Sequence, residues 1–425
     1  VPALTVTRRC ADLAELLSSG AAGLGAVAVL SADLPGLDRE AVQHLHGSGV
    51  WVLALADDDA GWPHDRVERL GADVVVAASE AADLAPAIAA LLARSERGLR
   101  PGRGEAGSRG SSRSVVTEPE AQAERGGAGA VRAPGARAGV AGASASEGGP
   151  VGPQGVLVAV WGPTGAPGRT TVALNLAAEL ATSVPGGALL VDADTYGGTV
   201  AQTLGLLDES PGIAAACRAA STGRLDPVSL AAMTPLVEPG LRVLTGIGRA
   251  DRWPEVPPAS LEMVWATARR LAPWVVVDCG FNLEQDELLS YDTRAPGRNG
   301  ATLSALAEAD VVVVVGGGDP VALQRLVRAL GDLSDAGVTG ERLVVVNRVR
   351  ASASGPRPAD AIREALRRYA GITDAHLLPD DAPTCDAALL GALTLREQAP
   401  GSPVRRALVD LAGALLSARA PVRAH

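Results

Sequence analysis

Short apolar runs alternate with stretches of helical spacing in two parts of the chain, residues 1–96 and 155–425. Runs such as Val156–Trp161 and Val311–Val315 are apolar at every position, which is typical of parallel strands buried on both faces. Residues 97–154 have no such run and are rich in Gly, Ser, Ala and Arg. We therefore predict two α/β domains, with mostly parallel sheets, joined by a disordered linker at 97–154.

The first domain follows the order of a small parallel sheet. The pattern predicts strands and helices in the order strand Leu4–Thr7, strand Ala26–Ser31, helix Arg39–His46, strand Trp51–Ala56, helix Asp65–Leu70, strand run Gly71–Val76 and helix Leu84–Arg94. With the motifs Leu34-Pro35-Gly36 and Gly71-Ala72-Asp73, this order resembles the response-regulator receiver, which has a flavodoxin-like fold. Its first β–α unit is missing, so we expect a truncated receiver-like domain.

The positions that would carry receiver chemistry are altered. The resemblance places Ser31 at the phosphorylated aspartate, Ala56 at the switch hydroxyl and Ala78 near the lysine. Acyl-phosphate chemistry needs a carboxylate nucleophile, an acid pair for Mg²⁺ and a cation. We therefore predict a pseudo-receiver that contacts proteins and is not phosphorylated.

A glycine-rich loop follows the first strand of the second domain. It occupies residues 162–171 and is followed by a predicted helix, Val172–Thr182. Glycines let backbone N–H groups approach phosphates, and a helix N-terminus favours anions. The strict phosphate-loop pattern fails at Pro163 and at Arg169, which replaces the usual lysine. The candidate nucleotide-binding residues are Gly162, Thr164, Gly165, Ala166, Pro167, Gly168, Arg169, Thr170 and Thr171.

Polar residues then end several of the predicted strands. Strand Ala188–Asp194 ends in Asp192 and Asp194, and strand Trp274–Asp278 ends in a single Asp. A later strand ends Asn347-Arg348, and Pro379-Asp380 follows the last strand. In this order the series resembles the ParA/MinD superfamily of deviant-Walker P-loop ATPases.

The resemblance implies roles for these residues, with ATP or ADP and Mg²⁺ as cofactors. Thr170, Asp192 and Asp278 match the metal site. Asp194 matches the catalytic acid that positions the attacking water. Thr171 matches an α-phosphate contact, Asn347 the contact to the adenine edge, and Pro379 a residue beside the base.

The superfamily's signature lysine has no counterpart here. Its position is Thr164, and the chain contains no lysine, so all 38 basic residues are arginine. The resemblance implies a homodimer in which that lysine reaches the partner's phosphates. Arg169 keeps a positive charge, but a guanidinium is larger and planar. We expect nucleotide binding with weak or absent hydrolysis.

The net charge and the hydropathy pattern disfavour some classes of function. The formal net charge is −10, which argues against a nucleic-acid-binding surface. The sequence has no signal-peptide pattern and no apolar run of membrane-spanning length, which predicts a cytoplasmic protein. The stripe Val404, Leu408, Leu411 and Leu415 has helical spacing and is predicted to pack in the core, so we expect no membrane-targeting helix.

A pseudo-receiver joined to a deviant P-loop domain resembles the CpaE/TadZ branch, and most of all its actinobacterial septum-site-determining (Ssd-type) members. The resemblance implies a spatial organiser with protein partners in cell division or in Flp/Tad pilus-secretion machinery, recruited by them to the pole, the septum or the inner membrane face. Three alternatives stay open: a scaffold with a vestigial loop, a DNA-partition ATPase, and a metabolic P-loop enzyme related to dethiobiotin synthetase.

Overall fold

The computed structural model describes residues 4–56, 61–102, 154–206, 211–284 and 297–418. Most of the predicted linker, residues 103–153, lies outside the described residues. The described residues form two sheets, one of three strands and one of eight.

The smaller sheet is parallel and follows chain order. Its strands are β1 (Val27–Ser31), β2 (Trp51–Ala56) and β3 (Val74–Ala77), with β2 in the centre. Four helices surround it: α1 (Leu13–Ala21), α2 (Arg39–Gly47), α3 (Gly61–Leu70) and α4 (Ala81–Glu96). The apolar runs that predicted the strands are buried, since β2 alone provides Trp51, Val52, Leu53 and Ala54 at 0–2% exposure.

The prediction of a strand at Leu4–Thr7 is wrong. These residues have no regular structure, and helix α1 follows them instead. A strand needs a hydrogen-bonding partner, and among the described residues β1 pairs only with β2. Local polar contacts set the start of α1: Asp12 caps the Glu15 N–H, and Arg8 pairs with the Glu15 carboxylate at 2.6 Å.

The larger sheet has the spatial order β11-β10-β9-β4-β8-β5-β7-β6. Its strands are β4 (Val156–Trp161), β5 (Ala188–Ala193), β6 (Leu236–Glu238), β7 (Leu241–Leu244), β8 (Trp274–Cys279), β9 (Val311–Gly317), β10 (Glu341–Val349) and β11 (Ala375–Pro379). All neighbouring strands are parallel except the edge pair β6–β7. The mixed α/β class with a mostly parallel sheet is thus confirmed.

Helices cover both faces of this sheet, as parallel sheets require. They are α5 (Arg169–Ser183), α6 (Val200–Thr203), α7 (Gly212–Ser221), α8 (Pro227–Ala232), α9 (Pro258–Leu271), α10 (Gly300–Glu308), α11 (Pro320–Asp335), α12 (Ala351–Ser354), α13 (Pro358–Ala370), α14 (Ala382–Gly391), α15 (Leu395–Gln398) and α16 (Pro403–Ala418). Two buried clusters, one on each face, contain the valines and leucines of the central strands.

Helix α16 packs against α5 and β11. Its stripe Val404, Leu408, Leu411 and Leu415 is buried at 0–3% exposure, which confirms that these residues belong to the core. No helix in the described ranges has the length and apolarity needed to cross a bilayer.

Candidate nucleotide-binding site

The glycine-rich loop connects the end of β4 to the start of α5, at the carboxyl edge of the larger sheet. Gly168 caps α5 in the left-handed region, at φ +83°. A Cβ on Gly168 would lie 2.4 Å from Asn347 Nδ2, and a Cβ on Gly162 would lie 2.2 Å from the Val315 carbonyl oxygen. Both glycines are therefore required by the backbone path of the loop.

Arg169 lies across this loop. Its Nη1 donates to the Gly162 carbonyl oxygen at 2.9 Å, and its Nη2 lies 3.6 Å from Asp194 Oδ2. The guanidinium carbon also lies 5.9 Å from the centre of the Phe281 ring. The positive charge therefore stays at the loop, but it already has protein partners.

Three carboxyl groups converge on the same edge because β8 lies between β4 and β5. Asp192 and Asp278 face each other in the β5–β8 register, and each is 1% exposed. Burial raises the pKa of Asp192 to about 7, against two backbone hydrogen bonds that lower it. Burial, followed by the charge of Asp192, raises the pKa of Asp278 well above its ordinary value.

The carboxylate of Asp192 organises the chain that follows β5. Its oxygens accept the backbone N–H groups of Asp194 at 3.2 Å and Val200 at 3.1 Å. Asp194 Oδ1 in turn accepts the N–H of Tyr196 at 2.9 Å. The other oxygen of Asp194 faces Arg169. The predicted water-positioning acid and the predicted phosphate-binding cation therefore form an ion pair.

The residues present suit Mg²⁺ bound together with a nucleotide. The described ranges contain no group of three or more His, Cys, Asp or Glu side chains arranged to hold a metal alone. Asp278 Oδ2, however, is buried without a hydrogen-bond partner among the described residues, and the Thr170 hydroxyl acts to lower the pKa of the same carboxyl group. Mg²⁺ commonly takes one or two protein oxygens and completes its shell with phosphates and water. Thr170 and Asp278 could supply these protein oxygens.

Asn347 and Pro379 lie on the opposite side of the loop from the acids. Asn347 Nδ2 donates to the Pro167 carbonyl oxygen at 3.0 Å, and its Oδ1 accepts the Arg348 N–H at 2.8 Å. The loop is thereby tied to β10. Gly168, Thr171, Asn347 and Pro379 line a cavity of about 70 Å³. That is far smaller than a ligand pocket of several hundred Å³. The contact of Asn347 to a base stays a prediction.

The remaining loop residues form its outer turn. The Ala166 N–H donates to the Pro163 carbonyl oxygen at 2.9 Å, and Thr164 is exposed. Pro167 lies beside Gly317 of β9. Sequence reasoning did not identify Phe281 beside Arg169, nor Arg325, which touches the Thr164 carbonyl. Arg325 is 161 positions from Thr164, and no local pattern marks it.

Several solved structures are similar to this chain. The chain is similar to a ParA family ATPase from Chlorobium tepidum, with 19% identity, coverage of 61% of this chain and 99% of that one, and a TM-score of 0.52. It is also similar to the cell division ATPase MinD of Pyrococcus furiosus, with 20% identity, coverage of 62% and 99%, and a TM-score of 0.49. No protein-family model and no curated protein matches the sequence. Over about 61% of its length, the chain therefore has the fold of a ParA family ATPase.

Proposed function

We propose that this protein is a Mg²⁺- and ATP-binding spatial organiser that hydrolyses ATP slowly or not at all. The observation that carries the proposal is the loop itself: a left-handed Gly168 opens α5, with Arg169 across the loop and Asp278 beside it. Its support from comparison is the fold shared with a protein named as a ParA family ATPase.

The position of each residue in the site suggests its role. Backbone N–H groups of the loop and the first turn of α5 would hold phosphates, with Arg169 as their cation. Thr170 and Asp278 would hold Mg²⁺, whose charge neutralises the phosphates. The same charge stabilises the ionised form of the buried carboxyl groups. Asp194 would orient a water molecule once Arg169 turns from it to a phosphate.

We expect weak hydrolysis because the loop lacks one of its two usual cations and has the other in a different shape. A cation aimed at the transferring phosphate contributes on the order of a thousandfold or more to turnover. The corresponding loop position, Thr164, is neutral. Arg169 keeps the charge of the second lysine without its compact shape.

The biological role belongs to the same proposal. We propose that nucleotide binding controls contacts with protein partners that place either the division septum or a Flp/Tad pilus-secretion machine, with a pseudo-receiver at residues 1–96 as one contact surface. A homodimer fits the superfamily resemblance. The net charge of −10 disfavours DNA partition as the function.

A phosphate-release assay tests the impaired chemistry. Thr164→Lys and Arg169→Lys together should raise turnover at least tenfold over the wild type, whereas each alone should give little. Asp194→Ala on the double background should abolish the gain. Wild-type turnover that already matches that of ordinary ParA/MinD enzymes would refute slow hydrolysis.

Thermal shift with ATP, ADP and AMP, with and without Mg²⁺, tests binding separately. We expect ATP and ADP to raise the melting temperature in the presence of Mg²⁺. If no adenine nucleotide does so, the loop is vestigial and the scaffold alternative holds. That alternative has one observation in its favour, since Gly162 and Asp194 already satisfy Arg169.

A further inference from the structure

Helix α11 places an arginine against the outer turn of the glycine-rich loop. Arg325 Nη1 lies 3.4 Å from the Thr164 carbonyl oxygen, a long hydrogen bond. The same nitrogen would be 2.2 Å from a Cβ on Gly165, which has φ +72°. The guanidinium therefore lies directly over Gly165, whose positive φ favours glycine at this position.

The fold fixes this placement. Strand β9 pairs with β4 beside the loop, and α11 begins directly after β9. Asp319 caps α11 by accepting the N–H groups of Val321 and Ala322. Leu326 is fully buried against Gly316 of β9. Because its neighbour is anchored in the core, Arg325 projects from a rigid helix.

Arg325 has no acidic partner in the part of the chain that the structure describes. Its hydrogen bond to Thr164 is its single polar contact there, and its side chain is exposed. Arg169, in contrast, is paired with Asp194. Among the described residues, the outer turn therefore carries a positive charge that no acidic side chain pairs with, where the loop's own residue, Thr164, is neutral.

We propose that Arg325 binds the phosphates of a nucleoside triphosphate held by the loop, and so adds to nucleotide binding a cation from the same chain, without replacing the catalytic charge that position 164 lacks. This inference rests on the proposed nucleotide binding. A guanidinium is suited to the task because its planar fork makes two parallel hydrogen bonds to a phosphate. Arg325 reaches the loop without a second subunit, so a monomer would have this cation in place for binding.

Calorimetric titration of the full chain with Mg·ATP, at low salt and near 1 M NaCl, tests the proposal. Arg325→Ala should weaken binding about tenfold at low salt, the size expected for a charge-assisted hydrogen bond. Arg325→Lys should recover part of the loss because it restores the charge. The difference from wild type should shrink at high salt, where exposed charges are screened.

Arg328→Ala is the matched control, since Arg328 is an exposed arginine one turn further along α11 and has no contact to the loop among the described residues. It should bind Mg·ATP within about twofold of wild type. The melting temperature of nucleotide-free Arg325→Ala should equal that of wild type, which excludes a loss of loop structure as the cause.

The outcomes separate the two claims. If wild type binds Mg·ATP and Arg325→Ala binds equally well, Arg325 has no phosphate role while the proposed function stands. A salt-independent loss that Arg325→Lys does not recover would also overturn the role, because it indicates a structural contact. Absence of binding by wild type overturns both.

Discussion

At the residue scale, the defining feature of the site is an excess of buried carboxyl groups. Asp192 and Asp278 are each 1% exposed and sit opposite each other on neighbouring strands. Burial raises the pKa of both groups, and Asp278 keeps one oxygen without a hydrogen-bond partner among the residues that the structure describes. Ionising both carboxyl groups in the absence of a cation is unfavourable, which makes this edge of the sheet suited to a divalent ion.

The raised pKa of Asp192 predicts how the stability of the metal-free protein depends on pH. A carboxyl group whose pKa rises from 3.8 to about 7 on folding stabilises the fold below pH 4, and this stabilisation is lost as pH rises through about 7. Between about pH 5 and about pH 8, the free energy of unfolding should fall by about 2–3 kcal/mol on account of this group. Asp192→Asn should remove that fall.

Urea denaturation with EDTA at both pH values measures the difference. Asp251→Asn is the control, because Asp251 is a surface carboxylate paired with Arg249 and should leave the wild-type pH dependence unchanged. If the Asp192→Asn variant loses stability with rising pH as steeply as wild type, the raised pKa of Asp192 is contradicted.

At the scale of elements, α16 packs against α5 and is held there by polar contacts. Arg405 Nε and Nη2 donate to the two oxygens of Glu179 at 2.7 and 3.1 Å, and the Glu179 side chain is only 8% exposed. Asn175 of α5 accepts the buried Leu395 N–H at 2.7 Å. These contacts attach the C-terminal helices to α5, the helix that begins at the loop.

Removing one partner of the pair should therefore be costly. Arg405→Ala leaves Glu179 buried without its cation and should lower the free energy of unfolding by about 3 kcal/mol. Arg367→Ala is the matched control, since Arg367 makes a similar forked contact to Glu364 with both side chains about 60% exposed. That change should cost less than about 0.5 kcal/mol. Equal losses in chemical denaturation would show that α16 is not seated on α5 as described.

Elements with strong local signals could be predicted from the sequence. Strands Val156–Trp161 and Trp51–Ala56 match the prediction because an unbroken apolar run has to be buried in the sheet. Helix α1 was missed although its signals are local: Asp12 caps it, and Leu13, Leu16 and Leu17 lie at helical spacing against the core. The position of the loop between β4 and α5 could be predicted because its residues are contiguous, whereas their binding of a nucleotide stays a prediction. Arg325 and the contact from Asn347 to Pro167 could not, because only the sheet order β4-β9-β10 brings them to the loop.

At the scale of the whole molecule, the two sheets form a single compact unit. Arg39 Nε donates to the Ala259 carbonyl oxygen at 2.7 Å, and Gln43 Nε2 donates to Glu262 at 2.8 Å, so α2 is attached to α9. Arg66 and Arg69 donate to the carbonyl oxygens of Thr222 and Gly223 just after α7. Measurements on nucleotide binding therefore belong on the full chain, in which these contacts are intact.

The most direct test of the central claim is a calorimetric titration of the full chain with Mg·ATP, in wild type and in Gly168→Ala. A Cβ at residue 168 would meet Asn347 at 2.4 Å, at a backbone angle of +83° that side chains rarely adopt. Gly337→Ala is the control, because Gly337 has a similar φ of +72° with open space around it. We predict one nucleotide per chain at about micromolar affinity for wild type and for the control, and no binding by Gly168→Ala. Binding by Gly168→Ala equal to wild type, or no heat from any of the three proteins, would contradict a nucleotide site at this loop.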